Sequence, residues 1–184
     1  MIHRLSPDDV IELVSPLSHL LWDAVDSGAS IGFLPPVDPV EAMAYWDSVR
    51  MAIHEGSRVL LATVVEEEMV GAVQLDLAMR PNGTHRAEIC KLMVHRNARR
   101  KGYAKALMQE AEAVARELGR TLLVLDTRKG DPSEALYQSM GYSVAGEIPQ
   151  YARSASGTLH TTVFYYKLLT PAPACNTPRT SSLP

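Results

Sequence analysis

Two cysteines in 184 residues, Cys90 and Cys175, are too few for a disulfide framework or a zinc cluster. Cys90 falls in an apolar, strand-like run, and both are expected to be free thiols in a reducing compartment. The histidines offer no substitute. His85, His95 and His160 lack the close spacing of metal ligands, so no metal is expected. No apolar run approaches the roughly 18–20 residues that span a bilayer. The start, Met1-Ile2-His3-Arg4-Leu5-Ser6-Pro7, lacks the apolar core of a secretory signal. A soluble, cytoplasmic protein with no membrane partner is expected. Charge is nearly balanced: 18 Lys and Arg against 21 Asp and Glu give −3, which disfavours a nucleic-acid partner held by a positive field. Two signatures are also missing. Without Gly-x-x-x-x-Gly-Lys-Ser/Thr or Gly-x-Gly-x-x-Gly, a nucleoside-triphosphate or dinucleotide enzyme is disfavoured. Gly-x-Ser-x-Gly occurs once, at Gly28-Ala29-Ser30-Ile31-Gly32, but after a helical pattern and not a strand, so a serine hydrolase of the strand–elbow–helix kind is disfavoured too.

What is present is globular: 46% apolar and 21% charged residues, in a chain long enough for one domain with a real core. Ser6-Pro7-Asp8-Asp9 opens a helix whose apolar positions, Val10 to Val25, recur at three and four until Gly28. Gly28 to Pro36 is a loop with more apolar residues than a solvated linker needs. A second helix starts at Asp38-Pro39 and stops near Gly56. Arg58 to Val65, Met69 to Leu77 and Ala87 to Val94 then form an antiparallel meander, with a turn at Pro81-Asn82-Gly83. Lys101 to Leu118 is the clearest helix, with Ala104, Leu107, Met108, Ala111, Val114, Ala115 and Leu118 on one face. Thr121 to Leu125 is a short, wholly apolar strand, completing a βαβ unit. Asp131-Pro132-Ser133-Glu134 starts another helix, with Asp131 expected as its cap. Tyr142 to Ile148 and Thr161 to Leu168 are the last two strands. Residues 1–169 are thus read as one α+β domain, helices on a mixed sheet. Residues 170–184, rich in Pro, Thr and Ser, are expected to be a disordered tail.

Arg99-Arg100-Lys101-Gly102-Tyr103-Ala104 lies between a strand end and a helix start. First-turn N–H groups have no intrahelical partners, and the helix dipole favours an anion there. Gly102 lets backbone approach a ligand closely. The turn is suited to a pyrophosphate; as a bare basic turn it would only be solvated surface. Arg99-x-x-Gly102-x-Ala104, after Leu92-Met93-Val94, resembles the signature of the GNAT N-acetyltransferases. The element order and Leu136-Tyr137-x-x-x-Gly141-Tyr142 extend that resemblance over residues 58–168. It implies a GNAT fold, with a mostly antiparallel central sheet, a βαβ acetyl-CoA-binding unit and helices on both faces. It implies acetyl-CoA as co-substrate, bound by Leu92, Met93 and Val94 along the pantetheine arm and by Arg99, Arg100, Lys101, Gly102, Tyr103 and Ala104 at the pyrophosphate. The strands on either side of that arm are expected to splay. Many members carry an asparagine seven residues before the tyrosine and an alanine four before it. Here those positions are Gly130 and Ser133, and Ser133 stands as a candidate cofactor contact.

The same resemblance makes Tyr137 the acid that faces the departing sulfur, a role a phenol near pKa 10 can fill at neutral pH. Glu88, six residues before Val94, occupies the place of a catalytic glutamate in the histone-acetyltransferase branch. An ammonium must lose a proton before it attacks, so Glu88 is a candidate base. Strict alternation would put Glu88, Cys90, Leu92 and Val94 on one face of their strand, Lys91 and Met93 on the other. Asp126, at the end of Leu122-Leu123-Val124-Leu125, is the rival base or a partner for the substrate ammonium. Either carboxylate could equally be a plain surface group. Cys90 as an acetylated nucleophile remains open, although direct attack needs no covalent intermediate. Gly28-Ala29-Ser30-Ile31-Gly32-Phe33-Leu34, Pro81-Asn82-Gly83 with Arg86-Ala87-Glu88, and Lys91-Leu92-Met93-Val94 resemble the tabtoxin-resistance branch. That implies an amino-acid-like or toxin amine as partner, with Arg80, Arg86 or Arg153 for its carboxylate. A homodimer is compatible with all of this. The alternatives are an acyl-CoA-binding regulatory module, a protein N-acetyltransferase, or a nucleic-acid-associated domain using Arg96, Arg99, Arg100 and Lys101.

Overall fold

The computed structural model describes residues 1–170. The tail expected from 170 onward therefore lies, Thr170 apart, outside the described residues, as does Cys175. The chain begins with a short strand, β1 (Ile2–Arg4), which pairs antiparallel with β2 (Arg58–Val65). Its three residues carry no periodicity, and only their partner on β2 makes them a strand. The single N-terminal helix expected from the spacing is two helices, α1 (Pro7–Glu12) and α2 (Val14–Asp26), broken at Leu13. Pro16 is the cause: it has no N–H for an i−4 carbonyl and disfavours helical backbone before it, so it is accommodated in the first turn of a new helix. Ser6 and Asp9 form the capping box of α1, the Ser6 hydroxyl accepting from Asp9 N–H at 3.1 Å. The third helix, α3 (Pro39–His54), is capped by Asp38 and matches its expected limits.

The meander β2, β3 (Glu68–Leu77) and β4 (Arg86–Val94) is followed by α4 (Tyr103–Glu117) and β5 (Leu122–Arg128). Then come α5 (Ser133–Ser139), β6 (Ser143–Arg153) and β7 (Leu159–Leu168). One seven-stranded sheet results, in the order β1-β2-β3-β4-β5-β7-β6, and β4–β5 is its parallel pair. Each face has its own core. On one face α4 presents Leu107, Met108, Ala111, Val114 and Ala115 to Leu75, Ile89, Leu123 and Tyr165. On the other, α1–α3 bring Leu17, Leu20, Leu21, Trp46 and Val49 onto Leu60, Ala62, Ala72 and Met93. Burying each such leucine contributes about 1.5–3 kcal/mol. On the α4 face, Glu112 ties the helix to the sheet through Lys167 at 2.7 Å and is flanked by Arg116 at 3.2 Å.

Three local expectations are corrected. Strand β5 does not end at Leu125; it continues to Arg128 because β7 pairs with it over its whole length, so Asp126 lies within the strand. Asp131 does not cap α5: its carboxylate is taken by Arg128 at 2.8 Å, and no side chain caps that helix. Strict alternation along β4 also fails. Opposite β3 the pairing runs Gln74 with Cys90 but Ala72 with Met93, and Lys91 takes φ +53°. The extra residue is a β-bulge, and it reverses the facing of all that follows. Glu88 and Cys90 lie on the α1–α3 face with their neighbours Asp76 and Gln74, while Leu92 and Val94 pack toward α4. Nothing in the sequence marks Lys91 for a left-handed conformation.

Leu107→Ala, at a fully buried α4 position, is expected to cost about 2–5 kcal/mol. Urea unfolding should show a lower midpoint with an unchanged slope.

Candidate active site

Parallel pairing between β4 and β5 covers three residue pairs, Arg86–Leu122, Ala87–Leu123 and Glu88–Val124. Beyond Glu88 the strands part, leaving the β5-facing edge of β4 from Ile89 to Val94 without a strand partner. Glu88 stands at the vertex, Asp126 two residues up the β5 wall, and Leu92, Met93 and Val94 along the β4 wall. The splaying expected from the resemblance is present.

At the top of the β4 wall the chain makes a short 3-10 turn (Arg96–Ala98) and then enters α4. Gly102 precedes the helix at φ +88°, a conformation that favours glycine. No side chain caps α4, so its first N–H groups point outward beside Arg100 and Lys101, both exposed. Tyr103 and Ala104 form the first turn. Arg99 is partly engaged: its Nε donates to Val94 O at 3.0 Å and its Nη2 lies 3.9 Å from Asp23.

Tyr137 is buried, 6% exposed, with its ring 5.8 Å from that of Tyr165 and 6.1 Å from that of Tyr142. Burial, then the charges of Asp126 and Asp131, hold its hydroxyl well above the usual phenol range, so it keeps its proton at neutral pH. Ser133, which offsets that rise, shares a 2.7 Å hydrogen bond with Thr127. Tyr137 belongs to the α4-side core, whereas Glu88 and Asp126 lie on the α1–α3 side. A buried phenol and two carboxylates therefore approach the opening from opposite faces of the sheet.

Glu88 faces solvent, yet its pKa is raised, first by partial desolvation and then by the charges of Asp126 and Asp76; Lys91 and Arg58 oppose the rise. Asp126 is raised by desolvation, with a 3.5 Å hydrogen bond from Thr162 and the Lys91 charge opposing. Glu88 and Asp76 are direct cross-strand partners, a like-charge pairing that costs stability. Arg58 offsets part of it by holding Asp76 at 2.5 Å. Raised pKa values move both carboxylates toward the range useful for a general base. The Cys90 thiol is pushed up to about 11 by burial, so it is not the thiolate a nucleophile requires at neutral pH.

On the α1–α3 face a cavity of about 390 Å³ lies between the Gly28–Pro35 loop, Arg128 and the β6–β7 turn with Arg153, Ser154, Ser156 and His160. Arg128 closes one side, donating to Gly28 O at 3.2 Å. Lys91 reaches under the loop: its Nζ lies 5.8 Å from the Phe33 ring centroid, and a Cβ at Gly32 would come within 3.1 Å of it. Of the three arginines expected to meet a substrate carboxylate, Arg153 lines this cavity. Arg86 and Arg80 do not, since Arg86 pairs with Leu122 at the far end of β5 from Arg128 and Arg80 precedes it in the β3–β4 turn. Lys91, Arg128 and His160 had no sequence signal, because the bulge, the loop and the strand pairing that gather them are long-range. Among the described residues no three His, Cys, Asp or Glu side chains are placed to hold a metal, and no helix is long and apolar enough to cross a membrane.

The parted strands, the βαβ unit, the uncapped helix end, the buried tyrosine on one face and the two carboxylates on the other thus meet in one region of an α+β fold. The profile of the acetyltransferase (GNAT) family matches residues 20–142, and the chain belongs to that family. Human N-acetyltransferase 8 is 36% identical over 102 residues, 54% of this chain and 44% of that protein; the chain thus spans less than half of its relative's length. A ribosomal-protein-alanine N-acetyltransferase from Brucella melitensis shares the fold at TM-score 0.75 and 23% identity, over 92% of this chain and 99% of that one. So does an acetyltransferase from Salmonella typhimurium solved with its cofactor acetyl-CoA, at TM-score 0.73 and 18% identity, over 96% and 98%.

If a carboxylate is the base, activity falls as it becomes protonated, and the raised pKa values set that acidic limb above the ordinary carboxylate range. The Asp126 charge raises Glu88, so Asp126→Asn is expected to move the limb to lower pH while Glu88→Gln lowers turnover and removes the limb. The reverse pattern in kcat/KM against pH would make Asp126 the base.

Proposed function

We propose that the protein transfers the acetyl group of acetyl-CoA to an amine of a small molecule by direct attack. The observation that carries this reading is the uncapped N-terminus of α4, with Gly102 at φ +88°, standing at the open end of the parted strands β4 and β5. The residues present suit that co-substrate: free N–H groups and the exposed Arg100 and Lys101 for a diphosphate, and an unpaired strand edge for an amide-bearing arm. Acetyl-CoA, when bound, supplies the activated acetyl group. The chain's own residues do the rest. Glu88, with Asp126 as the second candidate, accepts the ammonium proton on the α1–α3 face. Tyr137 holds a proton at its hydroxyl on the α4 face, where a departing sulfur would need it. Leu92, Met93 and Val94 align the arm, and Ser133 lies beside Tyr137.

The cavity supports a small acceptor carrying an anionic group, which is the amino-acid-like or toxin class. It is lined by Arg128, Arg153 and His160 and by no carboxylate, with the acidic pair Glu88 and Asp126 nearer the cleft vertex for the amine. Arg153 makes no ion pair among the described residues, its Nη1 donating to Gly157 O at 3.2 Å.

Thiol release from acetyl-CoA, measured across amines with and without a carboxylate, tests the reading. Turnover favouring amino-carboxylates supports it; binding without turnover on any amine would leave an acyl-CoA-binding module. Gly102→Val is expected to weaken acetyl-CoA binding by roughly tenfold, since a side chain at that φ costs about 1–2 kcal/mol. Calorimetry reads this directly, and unchanged affinity would count against the loop. Tyr137→Phe is expected to lower kcat by about 10²–10⁴, and full activity would remove it as the acid.

A further inference from the structure

Asp23 is a charged residue in the body of α2, with its side chain 8% exposed. A carboxylate so placed requires strong partners, and every one of them comes from the turn that precedes the cofactor loop. One Asp23 oxygen accepts from Arg96 N–H at 2.9 Å, and the other accepts from Arg96 Nε. His95 Nε2 stands 3.5 Å from the carboxylate and Arg99 Nη2 3.9 Å. The Asp23 carbonyl takes a further bond from Arg96 Nη2 at 3.4 Å. Four groups of residues 95–99 thus converge on one side chain, Arg96 from 73 residues away in sequence. Three residues beyond Arg99 the chain turns at Gly102 into α4.

The same helix ends at the acceptor cavity. Val25 lines that cavity, and Gly28 N–H and Ala29 N–H bond to Val25 O and Ala24 O at 2.9 and 3.0 Å. The start of the Gly28–Pro35 loop is therefore carried on the last turn of α2, one or two residues past Asp23. A displacement of the 95–102 segment transmitted through Asp23 must move or strain that turn, because a packed helix shifts as a unit.

We propose that Asp23 is a positioning residue that presets the loop 95–102 for the diphosphate of acetyl-CoA and relays its occupancy through α2 to the acceptor loop. This rests on reading that loop as the diphosphate cradle. It does not touch donor or acceptor; it acts through Arg96, His95 and Arg99.

Calorimetry with acetyl-CoA and amide hydrogen exchange test it together, without knowledge of the acceptor. In the unaltered protein, saturating acetyl-CoA should slow exchange at residues 28–33. Asp23→Asn should weaken acetyl-CoA binding roughly tenfold to a hundredfold, the scale of small misplacements remote from the chemistry. Once saturated it should no longer protect residues 28–33. Should Asp23→Asn not fold, Arg96→Gln removes the half-exposed partner and keeps the buried charge; its effects should run in the same direction and be smaller. A lowered melting temperature with unchanged acetyl-CoA affinity and intact loop protection would make Asp23 a mere structural prop and overturn the proposal. Absence of acetyl-CoA binding by the unaltered protein would instead defeat the functional reading beneath it.

Discussion

Parallel pairing between β4 and β5 stops after Glu88 and Val124, and most of the site's geometry follows from that. The bulge at Lys91 inserts one residue into β4 against β3, bending the strand away from β5. Strand β5 cannot follow, because β7 holds it over seven residue pairs. The sheet is thereby split at one end and closed at the other. An unpaired strand edge is ordinarily a liability. Here it lies inside a cleft, between two helical layers, where an extended ligand can pair with it.

The split also separates the chemistry. Because the two faces of the sheet have separate cores, a buried tyrosine reaches the opening from the α4 side while carboxylates reach it from the α1–α3 side. Under the proposed reaction, this arrangement would keep the acceptor and the donor of protons on opposite faces, without competition between them. Burial raises the tyrosine pKa, and desolvation with mutual repulsion raises those of the carboxylates. Lys91 limits the rise of the carboxylates. The bulge that opens the cleft thus also delivers the cation that keeps its acids partly in check.

The turn before α4 and the cavity under the Gly28–Pro35 loop share a mechanical frame. Helix α2 carries Asp23 toward the turn before α4 and Val25 toward that cavity, so both are referenced to one element packed through Leu17, Leu20 and Leu21. Arg128 performs a similar service from β5, holding Asp131 before α5 and the Gly28 carbonyl of the Gly28–Pro35 loop.

Local sequence determined a great deal. The period-3.6 apolar face of α4, the meander, the basic turn with Gly102 and the position of Tyr137 are short-range patterns, and short-range patterns are what periodicity and turn chemistry encode. They sufficed for the α+β class and for placing the basic turn with Gly102 just before α4. Even the break between α1 and α2 was written locally, in Pro16. Only the tertiary structure decided which face each β4 residue takes, because a bulge depends on pairing with β3 rather than on residue type. It likewise decided that β5 runs on through Asp126, that β1 exists, that Asp23 meets the turn at 95–99, that Lys91 lies under Phe33, and that Arg128 and His160 line one cavity. Those residues are brought together across tens of positions by sheet pairing and helix packing, and no spacing along the chain records such contacts.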